Sequence, residues 1–148
     1  MFGLRVEGVE HLPVGGPYIV AANHHNYLDG IVLSLAVPEP ISFLVMPRVW
    51  RVVGIFPEGP FSVRGRLERG LPGVGLLALR SGVPVIPAGI RGTWEALVGR
   101  RFYVPRRRAF TVRFGPPRVF GTARRGEARM ARQHVTQRIM GDIAALVS

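Results

Sequence analysis

Apolar residues fall along this chain in short runs separated by glycine, proline and polar clusters, a pattern in which strands and helices alternate. Residues 18–22, Tyr-Ile-Val-Ala-Ala, predict a buried strand, and residues 31–37 predict a helix that Pro38-Glu39-Pro40 stops. Upstream, residues 5–10 predict an edge strand and residues 11–17 a Gly- and Pro-rich turn, with His11 expected to be exposed. Residues 41–46 and 52–56 predict two further strands. The link of residues 47–51 is too short for a parallel crossover, so either these strands are not parallel neighbours or one assignment is wrong. Residues 72–80 predict a helix, with Pro72 in its first turn and Ser81-Gly82 as its C-terminal cap. Residues 83–90 form a strand carrying Pro84 and Pro87, which places it at an edge or makes its ends irregular.

Residues 91–97 predict a turn and a short amphipathic piece, and residues 109–114 alternate as a strand ended by Gly115-Pro116-Pro117. From about residue 124 to residue 147, Val135, Ile139, Ile143 and Val147 recur every fourth position with Met140 and Leu146 beside them, which is a packing helix with His134 on its polar side. No repeat or linker interrupts the series. Strands alternating with helices predict one domain over residues 1–148. Its expected fold is a single α/β sandwich, with a mixed, largely parallel sheet flanked by helices on both faces.

At 148 residues the chain is long enough for a substantial core. Although 47% of residues are hydrophobic, no run of 18 or more is uninterrupted, so no transmembrane helix is expected. The first residues have neither a signal peptide's apolar core nor a cleavage site, which argues against export. Without cysteine there is no disulfide, thiolate metal site or thiol nucleophile, and a cytoplasmic setting is expected. All 20 basic residues are arginine, and the net charge of +11 should draw the protein to polyanions.

The chemistry gathers where the first buried strand meets the first helix, at Asn23-His24-His25-Asn26-Tyr27-Leu28-Asp29-Gly30. In an unbroken helix His24 and Asp29 would stand about 140° apart around the axis; in a turn they can meet. Asp29 would then cap the helix, leaving His24 a plain loop residue, or reach the His24 ring and fix its tautomer. A histidine held by a carboxylate, with no serine or cysteine nucleophile nearby, points to a general base acting on a substrate hydroxyl. Competing chemistries find no support. Walker-type and dinucleotide-binding patterns and Gly-x-Ser-x-Gly are absent, and the His24-His25 pair lacks zinc-ligand spacing, so no metal is expected.

His24, four residues and Asp29, preceded by Asn23, resemble the catalytic motif of glycerolipid acyltransferases of the lysophosphatidic-acid acyltransferase type. Phe56-Pro57-Glu58-Gly59 resembles their acceptor-binding motif, and Val83-Pro84-Val85-Ile86-Pro87 their fourth block, so the resemblance runs from about Val6 to about Pro117. It implies a glycerol-3-phosphate acyltransferase-like fold in which His24 is the base and Asp29 its orienting partner. Asn23, Phe56, Pro57, Glu58 and Gly59 would then shape the acceptor site. It also implies no cofactor, acyl-coenzyme A or acyl-carrier protein as donor, and a lysolipid acceptor. Two departures stand out: the family's second motif has no counterpart, and Pro60-Phe61-Ser62 stands where members usually have Thr-Arg-Ser. Arg64 and Arg66, in the loop of residues 63–69, are candidates to supply the missing phosphate contacts, or belong to a solvated charge run.

Residues 100–108 set five arginines around Phe102 and Tyr103. Such a segment suits an anionic membrane surface, the phosphates of coenzyme A, single-stranded nucleic acid or plain solvent. Beside the other motifs the membrane or the donor ranks first, with no specific nucleic acid as partner, and the expected location is the inner face of the cell membrane as a peripheral protein. A second possibility is a degenerate relative acting as a membrane- or acyl-carrier-binding module. The intact His24, Asp29 and Glu58 argue against it.

Overall fold

The computed structural model describes residues 3–43, 51–59, 62, 64–98, 105–121 and 128–148. Its centre is β2 (Tyr18–Ala22), every residue of which is buried. Because it is covered on both faces, its sequence is continuously apolar rather than alternating. Tyr18, Val20 and Ala22 enter one core with α1 (Leu28–Ala36), while Ile19 and Ala21 enter a second with α2 (Gly73–Ser81) and α4 (Ala128–Val147). The remaining strands are β1 (Gly3–Glu7), β3 (Ile41–Ser42), β4 (Val52–Ile55), β5 (Val85–Arg91) and β6 (Ala109–Phe114), and a short helix α3 (Thr93–Leu97) follows β5. One sheet has the order β1-β6-β5-β2-β4-β3, and all pairs are parallel except β5 with β6. The expected mixed, largely parallel α/β sandwich is the observed fold.

Several expectations are revised. β3 and β4 are parallel neighbours, with Ile41 opposite Val52, although only residues 43–51 connect them. The described part of β3 is two residues long, and residues 44–50, with the rest of the expected strand and most of the link, lie outside the described residues. Of the two alternatives for the proline-bearing strand, the irregular end is the one observed, since β5 is central and its pairing with β6 is broken near its start. Pro87 is tolerated there because its nitrogen faces β6 at a break in the ladder, between the Ala88–Phe114 pair and an isolated bridge from Val85 to Arg118, while its carbonyl accepts the Gly115 N–H at 2.8 Å. His11 is half-buried, not exposed, and its Nδ1–H donates to the Phe114 carbonyl at 2.9 Å.

Close backbone contacts seat α4. A Cβ on Gly75 would lie 2.3 Å from the Arg132 carbonyl oxygen, and one on Gly89 2.8 Å from that of Leu146, so glycine lets α2 and β5 approach the helix. Val135, Ile139 and Ile143 fill the interface as their fourfold spacing predicts. At the far edge, Glu7 of β1 accepts from Arg113 of β6 and from Arg5, each at 2.7 Å.

Candidate active site

β2 and β4 are adjacent and parallel, and their chains leave toward opposite faces, to α1 and to α2. In open α/β sheets ligands bind outside the carboxyl ends of strands at such a divergence. His24 follows β2 and Phe56 to Gly59 follow β4, which puts the two expected blocks side by side.

α1 begins earlier than the apolar pattern indicated, because Asn26 and Asp29 organise its first turn. Asn26 Oδ1 accepts the Leu28 N–H at 2.9 Å. Asp29, fully buried, uses a single oxygen, Oδ2, for three donors: the Asn26 N–H at 2.8 Å, the His25 N–H, and His24 Nδ1 at 3.1 Å. The two alternatives open in the sequence are therefore both realised, since one carboxylate organises the helix start and holds the ring. A carboxylate only accepts, so His24 Nδ1 carries the proton and Nε2 of the neutral ring is the basic nitrogen. The Phe56 ring stacks on the imidazole at 3.9 Å and 10°, and Phe43 stacks in turn on Phe56 at 5.5 Å and 4°. The ring is thus fixed by a carboxylate at one edge and an aromatic face, with 12% of the side chain exposed.

Glu58 is 5% exposed and accepts the His24 N–H on Oε1 at 2.7 Å and the Glu68 N–H on Oε2 at 2.6 Å. These two bonds tie the histidine loop to the chain after β4. Gly59, at φ 76°, closes the turn by donating its N–H to the Phe56 carbonyl at 3.0 Å, and the buried Pro57 offers its carbonyl to the Leu71 N–H at 2.7 Å. Asn23, 1% exposed, pairs with the backbone of Ile90, donating from Nδ2 to its carbonyl at 2.9 Å and accepting its N–H on Oδ1 at 2.7 Å. It extends the β2–β5 ladder by a side chain.

Arg64 and Arg66 are both exposed, and Arg66 lines a cavity of about 330 Å³ with Asn23, His25 and Arg91. Of the basic segment expected at residues 100–108, residues 100–104 lie outside the description, and Arg106, Arg107 and Arg108 are exposed. Among the described residues no group of three or more His, Cys, Asp or Glu side chains is arranged to hold a metal ion. Sequence reasoning missed Phe43 and Arg91. Nothing local singles out Phe43, and Arg91, expected in a turn, is the last residue of β5.

Residues 3–52, which include His24 and Asp29, match the protein family described as Acyltransferase. Over 97% of its length the chain superposes on 73% of the 1-acyl-sn-glycerophosphate (LPA) acyltransferase PlsC from Thermotoga maritima, with a TM-score of 0.67 at 23% identity. At that identity the likeness is one of fold.

Proposed function

We propose that the protein is an O-acyltransferase that moves a fatty acyl group from acyl-coenzyme A or acyl-carrier protein to a hydroxyl of a lysophospholipid or related glycerolipid or glycolipid. The observation that carries this reading is the buried Asp29 on His24 Nδ1, which leaves Nε2 as a fixed base. Nε2 takes the proton of the acceptor hydroxyl as its oxygen attacks the thioester carbonyl. Asp29 stabilises the imidazolium that forms. The C–S bond then breaks, the thiolate takes the proton from His24, and an ester and a free thiol leave with the base restored. No covalent enzyme intermediate is required.

The anionic inner face of the cell membrane is the proposed place of work. Tyr27, Ile31 and Leu35 form an exposed apolar stripe on α1, beside exposed Leu4 of β1, and the net charge is +11. Among the described residues no helix is long and apolar enough to cross a membrane. The test is thiol release from a panel of acyl-coenzyme A and acyl-carrier donors with lysophosphatidate, other lysolipids or no acceptor, for wild type and His24→Ala. Acceptor-dependent release abolished by the substitution is the expected result. Vesicle binding without release from any donor would instead mark a binding module.

A further inference from the structure

On the opposite side of the sheet from α1, Gln133, Thr136, Gln137 and Met140 fall at i, i+3, i+4 and i+7 of α4 and form one wall of a cavity of about 500 Å³. Residues 67–72, which lead into α2, form the other wall. Two glycines seat that second wall. A Cβ on Gly70 would lie 2.6 Å from Met140 Cγ, and one on Gly59 would lie 2.7 Å from a methyl of Leu71. The same wall is tied to the histidine loop, because Glu58 accepts the His24 N–H on one carboxylate oxygen and the Glu68 N–H on the other, while the Leu71 N–H donates to the Pro57 carbonyl.

The lining selects a chemical class. α4 carries Arg129, Arg132 and Arg138, yet the part of it that faces the cavity holds two carboxamides, a hydroxyl and a thioether and no charge. Thr136 is 5% exposed, and its buried Oγ1 has no hydrogen-bond partner among the described residues, a cost that a ligand group would remove. Carboxamides and a hydroxyl both donate and accept, and Leu67, Leu71 and Met140 add apolar surface between them. A fatty acyl chain would leave those polar groups unpaired. An anion would meet one guanidinium, that of Arg69, on a wall that also carries the Glu68 carboxylate. An uncharged chain in which amides alternate with aliphatic stretches fits both sets of groups, in a volume within the range of about 300–1,000 Å³ usual for small-molecule sites.

We propose that this cavity is the subsite for the pantetheine arm of the acyl donor, with Gln133, Thr136 and Gln137 as its hydrogen-bonding residues. The inference rests on the function proposed above. Pantetheine is an uncharged chain with two amides, and acyl-coenzyme A and acyl-carrier protein both carry it, so one subsite serves either donor. Its thiol end bears the thioester, which the tie through Glu58 keeps in register with the histidine loop.

The protein is titrated calorimetrically with reduced pantetheine, coenzyme A and a holo-carrier protein, and with decanoate and N-acetylcysteamine as controls. Saturable pantetheine binding, weakened about three- to tenfold in Thr136→Val and again in Gln133→Ala with Gln137→Ala, is expected, each step being the equivalent of a neutral hydrogen bond. Thr136→Val removes a buried hydroxyl without a partner, so its melting temperature should not fall, and both glutamines are exposed, so their loss leaves the fold intact. In turnover the substitutions should raise the KM for acyl-coenzyme A or acyl-carrier protein, whichever is the donor, with kcat and the KM for the lysolipid little changed. A donor cut down to S-acyl-N-acetylcysteamine, which lacks most of the arm, should be used equally well by wild type and variants. The titration needs no turnover and also runs in His24→Ala, so pantetheine binding in a protein without acyl transfer would leave the subsite standing and remove the reaction. Decanoate binding in place of pantetheine, no pantetheine binding, or affinities and donor KM values unchanged in the folded variants would overturn the subsite.

Discussion

A single oxygen of Asp29 holds two backbone amides and the His24 ring, the base of the proposed reaction, so substitutions at His24 and Asp29 should separate chemistry from folding. His24→Ala is expected to lower kcat by about 10²–10⁴-fold, the usual range for a general base, while the melting temperature stays near that of wild type. Asp29→Ala should lose activity to a similar degree and also destabilise the fold by about 1–3 kcal/mol, because amides of the helix start are left without their acceptor. Paired kcat and thermal-melt measurements distinguish the two. Phe56→Ala removes a stacked partner worth about 0.5–1.5 kcal/mol, so a loss of up to about tenfold in kcat is expected if that stacking holds the ring in its productive orientation. The His24–Asp29 pair was legible in the sequence because its members are five residues apart and meet within one turn. Phe43 and the bond from His24 to Glu58 were not, since both depend on which strands lie side by side, and local patterns are silent on that.

Among the elements, those whose burial is uniform or strictly periodic emerge as the apolar pattern has them: β2, β6, and α4 over its described length. Misjudgements fall where tertiary context outweighs a local rule. The two prolines left an edge position or irregular ends open, and tertiary context chose the second: β5 is central, and only the side of its ladder that needs an N–H at Pro87 is broken. α1 starts early because two polar side chains nucleate it, and an apolar count does not register them. The seat of α4 yields a direct test. Gly89→Ala sets a methyl against the Leu146 backbone and should cost about 1–3 kcal/mol by overpacking, measured by urea unfolding. At the β1–β6 edge, the hydrogen bond and charge of Arg113, with Arg5 adding to them, hold the Glu7 carboxyl below its ordinary pKa. Its contribution is present above the unfolded value of about 4.5 and fades as pH falls through the lower folded value. The melting temperature of Glu7→Gln should therefore lie below wild type at pH 7 and converge with it as pH falls below the folded pKa.

For the molecule as a whole, charge and the α1 stripe should act together at a lipid surface. With each arginine near an anionic bilayer worth about 1 kcal/mol, replacing Arg106, Arg107 and Arg108 by glutamine should weaken binding to phosphatidylserine vesicles by about two orders of magnitude at low salt. Ile31→Asp with Leu35→Asp should reduce binding at any salt concentration, because those residues supply apolar area rather than charge. Vesicle co-sedimentation across a salt series reads both. Equal binding by all variants would remove this face from membrane contact.

The double duty of Asp29 and the inward bonds of Glu58 and Asn23 also bear on how descent is to be judged among chains that carry this loop. A lineage that stopped transferring acyl groups would still need those three residues to fold its loops, and selection for a sound fold would keep them long after chemistry was lost. Their presence is therefore a weak sign of a living enzyme. A stacked ring at position 24 can be supplied by phenylalanine or tyrosine, so histidine there is the one member of the motif whose retention points to turnover, and its replacement is the first mark to seek in a silent paralogue.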